Sequence, residues 1–160
     1  MPERAPAEQV IGVISDTHGL LRPQALEALR GVDLIVHAGD IGRLDILTRL
    51  GRIAQVHAVR GNMDNGPWAE RLPHSEVAEA EEIRFFIVHD LNHLDLDPAA
   101  AGFHVVVTGH THRPNVEERD GVLYLNPGSA GPRRFTLPTT VAKLHVRDGA
   151  LEAEIIELEV

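Results

Sequence analysis

Five short apolar runs, each stopping on an aspartate, asparagine or histidine, constrain this chain more than any other feature of it. Residues 10–15 lead to Asp16-Thr17-His18, and residues 34–36 lead through His37 to Gly39-Asp40. Residues 55–59 lead to Gly61-Asn62-Met63-Asp64, residues 83–88 to His89-Asp90, and residues 105–108 to Gly109-His110-Thr111-His112. Runs this short, rich in β-branched residues and bounded by glycine, read as buried strands of a largely parallel sheet. In open α/β sheets ligands bind beyond the C-terminal ends of the strands. Asp, Asn and His at five such ends are the donor types of hard and borderline divalent metals, and together they describe one site. Asp40, lone and central, is the candidate for a carboxylate shared between two ions.

Between the first three runs the pattern is helical. Pro23 suits a first helical position, where its missing N–H has no partner to lose. Gly31 closes that helix, whose apolar side carries Leu26 and Leu29, and Leu44, Leu47 and Leu50 mark a second helix closed by Gly51. The order βαβαβ implies parallel strands joined by right-handed crossovers. After Asp64 the texture changes, because Gly66-Pro67-Trp68 and Leu72-Pro73 break helices. Hairpins are expected for 75–80 with 83–89, for 116–119 with 122–126 about Asp120-Gly121, and for 140–146 with 151–159 about Asp148-Gly149. The apolar phase slips between Ile155 and Ile156, which predicts a bulge or burial of both faces. The expectation is a flexible tail at 1–9 and a single α/β domain at 10–160. Its first half is βαβ, its second half adds mainly antiparallel strands, and the whole is a two-sheet sandwich with helices outside.

A chain of 160 residues is long enough for one sizeable core. A formal net charge of −9, with Lys143 the only lysine, leaves no basic track for long nucleic acid, although a local metal site can still take one phosphate. The absence of cysteine excludes a disulfide framework, a thiolate nucleophile and Cys-ligated zinc, and fits a cytoplasmic protein. Residues 1–9 lack the apolar core of a signal peptide, and no run reaches membrane-spanning length, so no membrane partner is expected.

In an extended chain residues i and i+2 point the same way, so Asp16 with His18, and His110 with His112, can each present a pair of ligands. Carboxylate, amide and imidazole without thiolate suit Mn²⁺, Fe²⁺, Zn²⁺ or Ni²⁺ better than Ca²⁺. The ordered motifs Ser15-Asp16-Thr17-His18-Gly19, His37-Ala38-Gly39-Asp40, Gly61-Asn62-Met63-Asp64, Val88-His89, Gly109-His110-Thr111-His112-Arg113-Pro114 and Asn126-Pro127-Gly128-Ser129 closely resemble the calcineurin-like metallophosphoesterases, in particular their small prokaryotic phosphodiesterase branch. The resemblance spans residues 10–134. It implies a four-layer α-β-β-α sandwich, two mixed β-sheets flanked by helices. It also implies that Asp16, His18, Asp40 and His112 hold one ion and that Asp40, Asn62, His89 and His110 hold the other, with Mn²⁺ the expected metal.

Two divalent ions about 3.5 to 4 Å apart bridge a water, lower its pKa to about 7 and clamp phosphoryl oxygens during in-line attack by the hydroxide. The expected activity is therefore hydrolysis of small phosphodiesters, with Asn62, Asp64 and His89 as the catalytic set. One of Arg133 and Arg134 is expected to bind a substrate phosphate by a bidentate contact. Met63 stands where many metallophosphoesterases carry a His that protonates the leaving group, which leaves no obvious general acid. His89 is followed by Asp90 where Gly is common in the family. His37 reads as a buried, hydrogen-bonded residue, and His57, His74, His104 and His145 as surface or packing residues. Asn126 and Ser129 read as loop-shaping. Trp68 and Phe135 read as core, as contacts in a homo-oligomer, or as a wall for a base or aryl group. The alternatives are a non-catalytic protein-binding scaffold of the same fold, as in the retromer subunit, and a phosphomonoesterase or nucleotidase. What separates the scaffold from an enzyme is the ligand set, in which no position here is apolar.

Overall fold

In the computed structural model, which describes residues 8–160, ten strands form two five-stranded sheets. The first sheet contains β1 (Glu8–Ile14), β2 (Leu34–His37), β3 (Gln55–Ala58), β9 (Thr140–Arg147) and β10 (Ala150–Glu157), in the order β10-β9-β1-β2-β3. The second contains β4 (Ser75–Ala80), β5 (Ile83–Val88), β6 (Val105–Val107), β7 (Asn115–Arg119) and β8 (Val122–Asn126), in the order β4-β5-β6-β8-β7. β1, β2 and β3 run parallel, with Ile11 opposite Leu34 and Leu34 opposite Gln55, and β9 joins β1 antiparallel.

Alternation along the strands divides the apolar residues between layers. Ile11, Val13 and Val36 from the first sheet meet Phe85, Ile87 and Val107 from the second in a shared core. On the outer face of the first sheet, Ile14, Ile35 and Val141 pack against α1 (Pro23–Ala28) and α2 (Leu44–Leu50). On the outer face of the second, Phe86, Val106 and Val122 are covered by Phe103, Leu94 and Leu96, in the segment that follows a 3₁₀ turn at Leu91–His93. The result is the layered sandwich, with α1 and α2 over the first sheet and the segment of the 3₁₀ turn over the second.

Several local expectations change. The second sheet is less antiparallel than expected, because β5, β6 and β8 are parallel; the long segments between them allow crossovers. In α2 the buried residues are Ile46 and Leu50, spaced i,i+4, while Leu44 is exposed. Gly66, at φ 98°, turns the chain so that Pro67 starts a single helical turn, α3 (Pro67–Glu70), in place of the expected break. β10 pairs with β9 without a bulge, and its phase slip puts Ile155 against the inter-sheet core and Ile156 against the helix side. Glu8 and Gln9, expected in the tail, already pair with β9, and residues 1–7 of that expectation lie outside the described residues. Among the described residues no helix is long and apolar enough to cross a membrane, which says nothing of strands.

Candidate metal centre

The loops after β1, β2, β3, β5 and β6 meet at one edge of the sandwich, and their backbone is unusual. Asp16, His18, Asp40, His110 and His112 all have φ between 46° and 71°, the left-handed region that L-residues enter rarely and that clusters at functional sites. Three of the other non-glycine residues with positive φ, Glu81, Asp120 and Asp148, sit in the hairpin turns.

Asp16 is fully buried. Its Oδ2 accepts from Ser15 Oγ at 2.6 Å and from the His110 N–H at 3.1 Å, whereas Oδ1 has no hydrogen-bond partner. That orphaned oxygen faces His112 Nε2 at 3.3 Å, His18 Nε2 at 3.6 Å and His89 Nε2 at 3.9 Å. A buried polar atom without a partner costs about 1 to 3 kcal/mol, so an oxygen surrounded by imidazole nitrogens fits a cation. Asp40 repeats the arrangement. Its Oδ1 accepts from the Met63 N–H at 2.8 Å, and its Oδ2 lies 3.2 Å from His89 Nε2 and 3.8 Å from His18 Nε2. Asn62 Oδ1 closes the other side, 3.0 Å from His89 Nε2 and 3.3 Å from His110 Nδ1. The seven expected ligands therefore converge. Asp16 belongs both to a group with His18 and His112 and to a group with Asp40 and His89, so two carboxylates stand between the halves where Asp40 alone was expected to.

The electrostatics suit bound cations. Burial raises the Asp16 pKa, but the His112 and His18 rings facing Oδ1 and the hydrogen bond from Ser15 outweigh it and hold the carboxyl well below the usual range. Burial also opposes ionisation of Asp40, and the His89 and Met63 donors again prevail. His89 is raised: burial lowers it, but the Asp40 and Asp16 carboxylates more than compensate. Its Nδ1–H donates to the Ala38 carbonyl at 2.7 Å, which turns Nε2 toward the cluster.

Residues behind the cluster hold it in place. Asp64, expected to be catalytic, is buried with both oxygens engaged, accepting from the Gly42 N–H at 3.0 Å and the Gly61 N–H at 2.9 Å. It clamps one ligand loop to the next and is a positioning residue. His37 is buried as expected; its Nδ1 accepts from the Gly39 N–H at 3.1 Å, and Nε2 lies 3.1 Å from Thr17 Oγ1. Ser129 Oγ donates to the Asp16 carbonyl at 3.0 Å, and Asn126 Nδ2 donates to the Gly109 carbonyl at 3.0 Å, both shaping loops as expected. A Cβ at Gly61 would run into the carboxylate and amide of Asp40. Gly61→Ala should therefore displace the Asp40 loop, costing about 1 to 3 kcal/mol in stability and about 10- to 100-fold in metal affinity. Thermal melts and metal titration check this, and unchanged affinity would refute the tight approach.

Arg133 and Arg134 are not brought to the cluster. Both are exposed, and Arg133 lines a separate cavity with Pro138, Thr139 and residues 157–160. The guanidinium groups that line a cavity beside His110 are instead those of Arg113 and Arg119, the latter stacked 5.1 Å over the Tyr124 ring. The motif neighbour of His112 was a signal for Arg113; Arg119 has none. Trp68 is half-buried on the helix side of the first sheet, and Phe135, at φ 55°, is 88% exposed.

The family model of the calcineurin-like phosphoesterase superfamily domain matches residues 10–149. A probable metallophosphoesterase of Methanothermobacter thermautotrophicus is 40% identical over 162 residues, covering 92% of this chain and 91% of that protein. Among solved structures, an archaeal phosphodiesterase superposes with a TM-score of 0.78 at 27% identity, covering 94% of this chain and 100% of that one. Vacuolar protein sorting 29 of Cryptosporidium parvum has a TM-score of 0.75 at 20% identity, covering 96% and 99%, and shares the fold. The chain belongs to the calcineurin-like phosphoesterase superfamily.

Proposed function

We propose that the protein is a phosphodiesterase that uses two divalent metal ions to hydrolyse small phosphate esters. The observation that carries this reading is the orphaned Asp16 Oδ1, buried and ringed by three imidazole nitrogens. Asp16, His18, Asp40 and His112 would hold one ion, and Asp40, Asn62, His89 and His110 the other. Mn²⁺ is the proposed metal, with Ni²⁺, Zn²⁺ and Fe²⁺ the alternatives this donor set admits. When bound, such a pair supplies a water of lowered pKa and Lewis-acid stabilisation of the phosphoryl oxygens.

The chain's own residues make that chemistry available. Ser15 and the His110 N–H occupy one oxygen of Asp16, and the Met63 N–H occupies one of Asp40, so each carboxylate offers a single aimed oxygen. The Ala38 carbonyl fixes the His89 ring. Asn62 and His110 are the exposed members of the cluster, so a substrate would reach it from their side. The likeness to an archaeal phosphodiesterase supports the diester preference.

The test is to strip the purified protein, reload it with Mn²⁺, Ni²⁺, Zn²⁺ or Mg²⁺, and assay bis(4-nitrophenyl) phosphate, 4-nitrophenyl phosphate and cyclic nucleotides. Metal-dependent turnover that favours diesters is expected. Preference for the monoester would make it a phosphomonoesterase, and two bound ions without turnover of any ester would favour the scaffold reading.

A further inference from the structure

Two cavities adjoin the cluster. One, of about 640 Å³, lies beside His110 and includes Arg113, Arg119 and Tyr124. The other, of about 350 Å³, includes Asn62 and His89 together with Phe86, Val88, His74 and His93. His74 and His93, histidines outside the proposed ligand set, line the second of these with the ligands.

Both are tied by backbone to the ligand loops. The Pro73 carbonyl, just before His74, accepts from the Arg60 N–H at 2.8 Å, one residue before Gly61-Asn62. His93 sits on the 3₁₀ turn that Asp90 opens: its N–H donates to the Asp90 carbonyl at 2.9 Å, and Asp90 Oδ1 accepts from the Asn92 N–H at 3.0 Å. The backbone on which His74 and His93 stand is thus tied to the loops of Asn62 and His89, both imidazoles line the cleft, and Phe86 and Val88 give it an apolar wall. Met63 lies outside it; that side chain is 61% exposed and has no proton to give.

We propose that this cleft seats the alcohol or phenol portion of the ester and that His74 and His93 supply its proton, an inference that rests on the phosphodiesterase reading. As the water oxygen forms its bond to phosphorus and releases a proton to solvent, the bond from phosphorus to the ester oxygen breaks. The proton carried by the imidazole passes to that oxygen, the alcohol leaves neutral, and the imidazole is reprotonated from solvent. An apolar wall beside imidazole rings matches such a group, with carbon on one side and the departing oxygen on the other. Histidine is the residue type whose ordinary pKa lets it give a proton near neutrality.

Two measurements test this. In Zn²⁺-loaded protein labelled with ¹⁵N-histidine, the slowly hydrolysed diester mimic methyl phenylphosphonate should shift the imidazole resonances of His74 and His93 and leave those of His57, His104 and His145 in place. In His74→Gln/His93→Gln, turnover of an alkyl diester should fall by about 10² or more while bis(4-nitrophenyl) phosphate changes no more than about threefold, since nitrophenolate leaves without help. The metal content of the variant should match the parent. Equal losses on both esters, or phosphonate binding seen by ³¹P with both imidazoles unmoved, would overturn the leaving-group cleft alone. Failure of the metal-loaded parent to bind the phosphonate would overturn the phosphodiesterase reading, and this inference with it.

Discussion

Asp40→Asn should abolish paired metal binding and cut diester turnover by a factor of about 10³ or more, roughly 4 kcal/mol of transition-state stabilisation. The substitution is clean because it alters one atom of interest. The amide oxygen can still accept from the Met63 N–H at the position of Oδ1, so the loop keeps its shape. The other oxygen, now 3.2 Å from His89 Nε2 and 3.8 Å from His18 Nε2, becomes an NH₂ that repels a cation and has no charge to share. Metal analysis and steady-state kinetics decide the matter together. Two ions bound with near-parental turnover would show that Asp16, the other carboxylate common to both halves, does the bridging alone.

The second large effect concerns acid stability. Burial pushes His37 down to about 3 from an ordinary 6.5, so the folded protein keeps it neutral while the unfolded chain protonates it. The unfolded state therefore binds the extra proton between those values, and stability is lost as pH falls through 6.5 toward 3. The slope is about 1.4 kcal/mol per pH unit, or about 2 kcal/mol by pH 5. His89, raised by its carboxylate neighbours, contributes stability that is present at low pH and lost as pH rises, so the sign of the His37 contribution has to be isolated. Urea denaturation of chelated parent and His37→Asn at pH 7 and pH 5 does so. The variant keeps an acceptor for the Gly39 N–H, starts less stable, and should lose about 2 kcal/mol less on acidification. Identical pH slopes would mean that His37 is solvated enough to titrate in the folded state.

The strand ends were legible because two independent signals coincide there: an apolar run sets a buried strand, and a polar donor, beside glycine at Asp40, Asn62 and His110, marks where it stops. Asp16, Asp40, Asn62, His89 and His110 are of this kind, and so is the turn at Asp120-Gly121, whose φ values are 52° and 77°. What could not be read is whatever depends on distance in space rather than spacing in the chain. Asp64 looked catalytic because it follows the Asn62 motif, yet its oxygens are taken by Gly42 and Gly61, and nothing local to Asp64 announces the approach of a loop 22 residues away. Arg133 looked placed for substrate because it follows a motif loop, but the chain beyond Gly131 carries it toward residues 157–160. His74 and His93 lacked any pattern, since β4 and β5 must pair before they line one cavity. The face of α2 was displaced for a related reason: a short helix leaves the choice of buried stripe to the sheet beneath it.

The left-handed backbone at Asp16, His18, Asp40, His110 and His112 bears on whether such a centre can be moved elsewhere. Each such conformation costs an L-residue about 1 to 2 kcal/mol, so relaxed loops would let go of it. Copying the seven side chains onto the strand ends of another scaffold would reproduce the inventory and lose the aim, because in an ordinary extended backbone those carbons point elsewhere. A transplant has to carry the close-packed partners that enforce the twist. These are Gly39 against the His89 ring, Gly61 against Asp40, and Gly109 against Ser15 and Asp16, where a single added methyl leaves no room. The unit of inheritance here is a set of interlocked turns, and the metal-binding side chains are its most visible part.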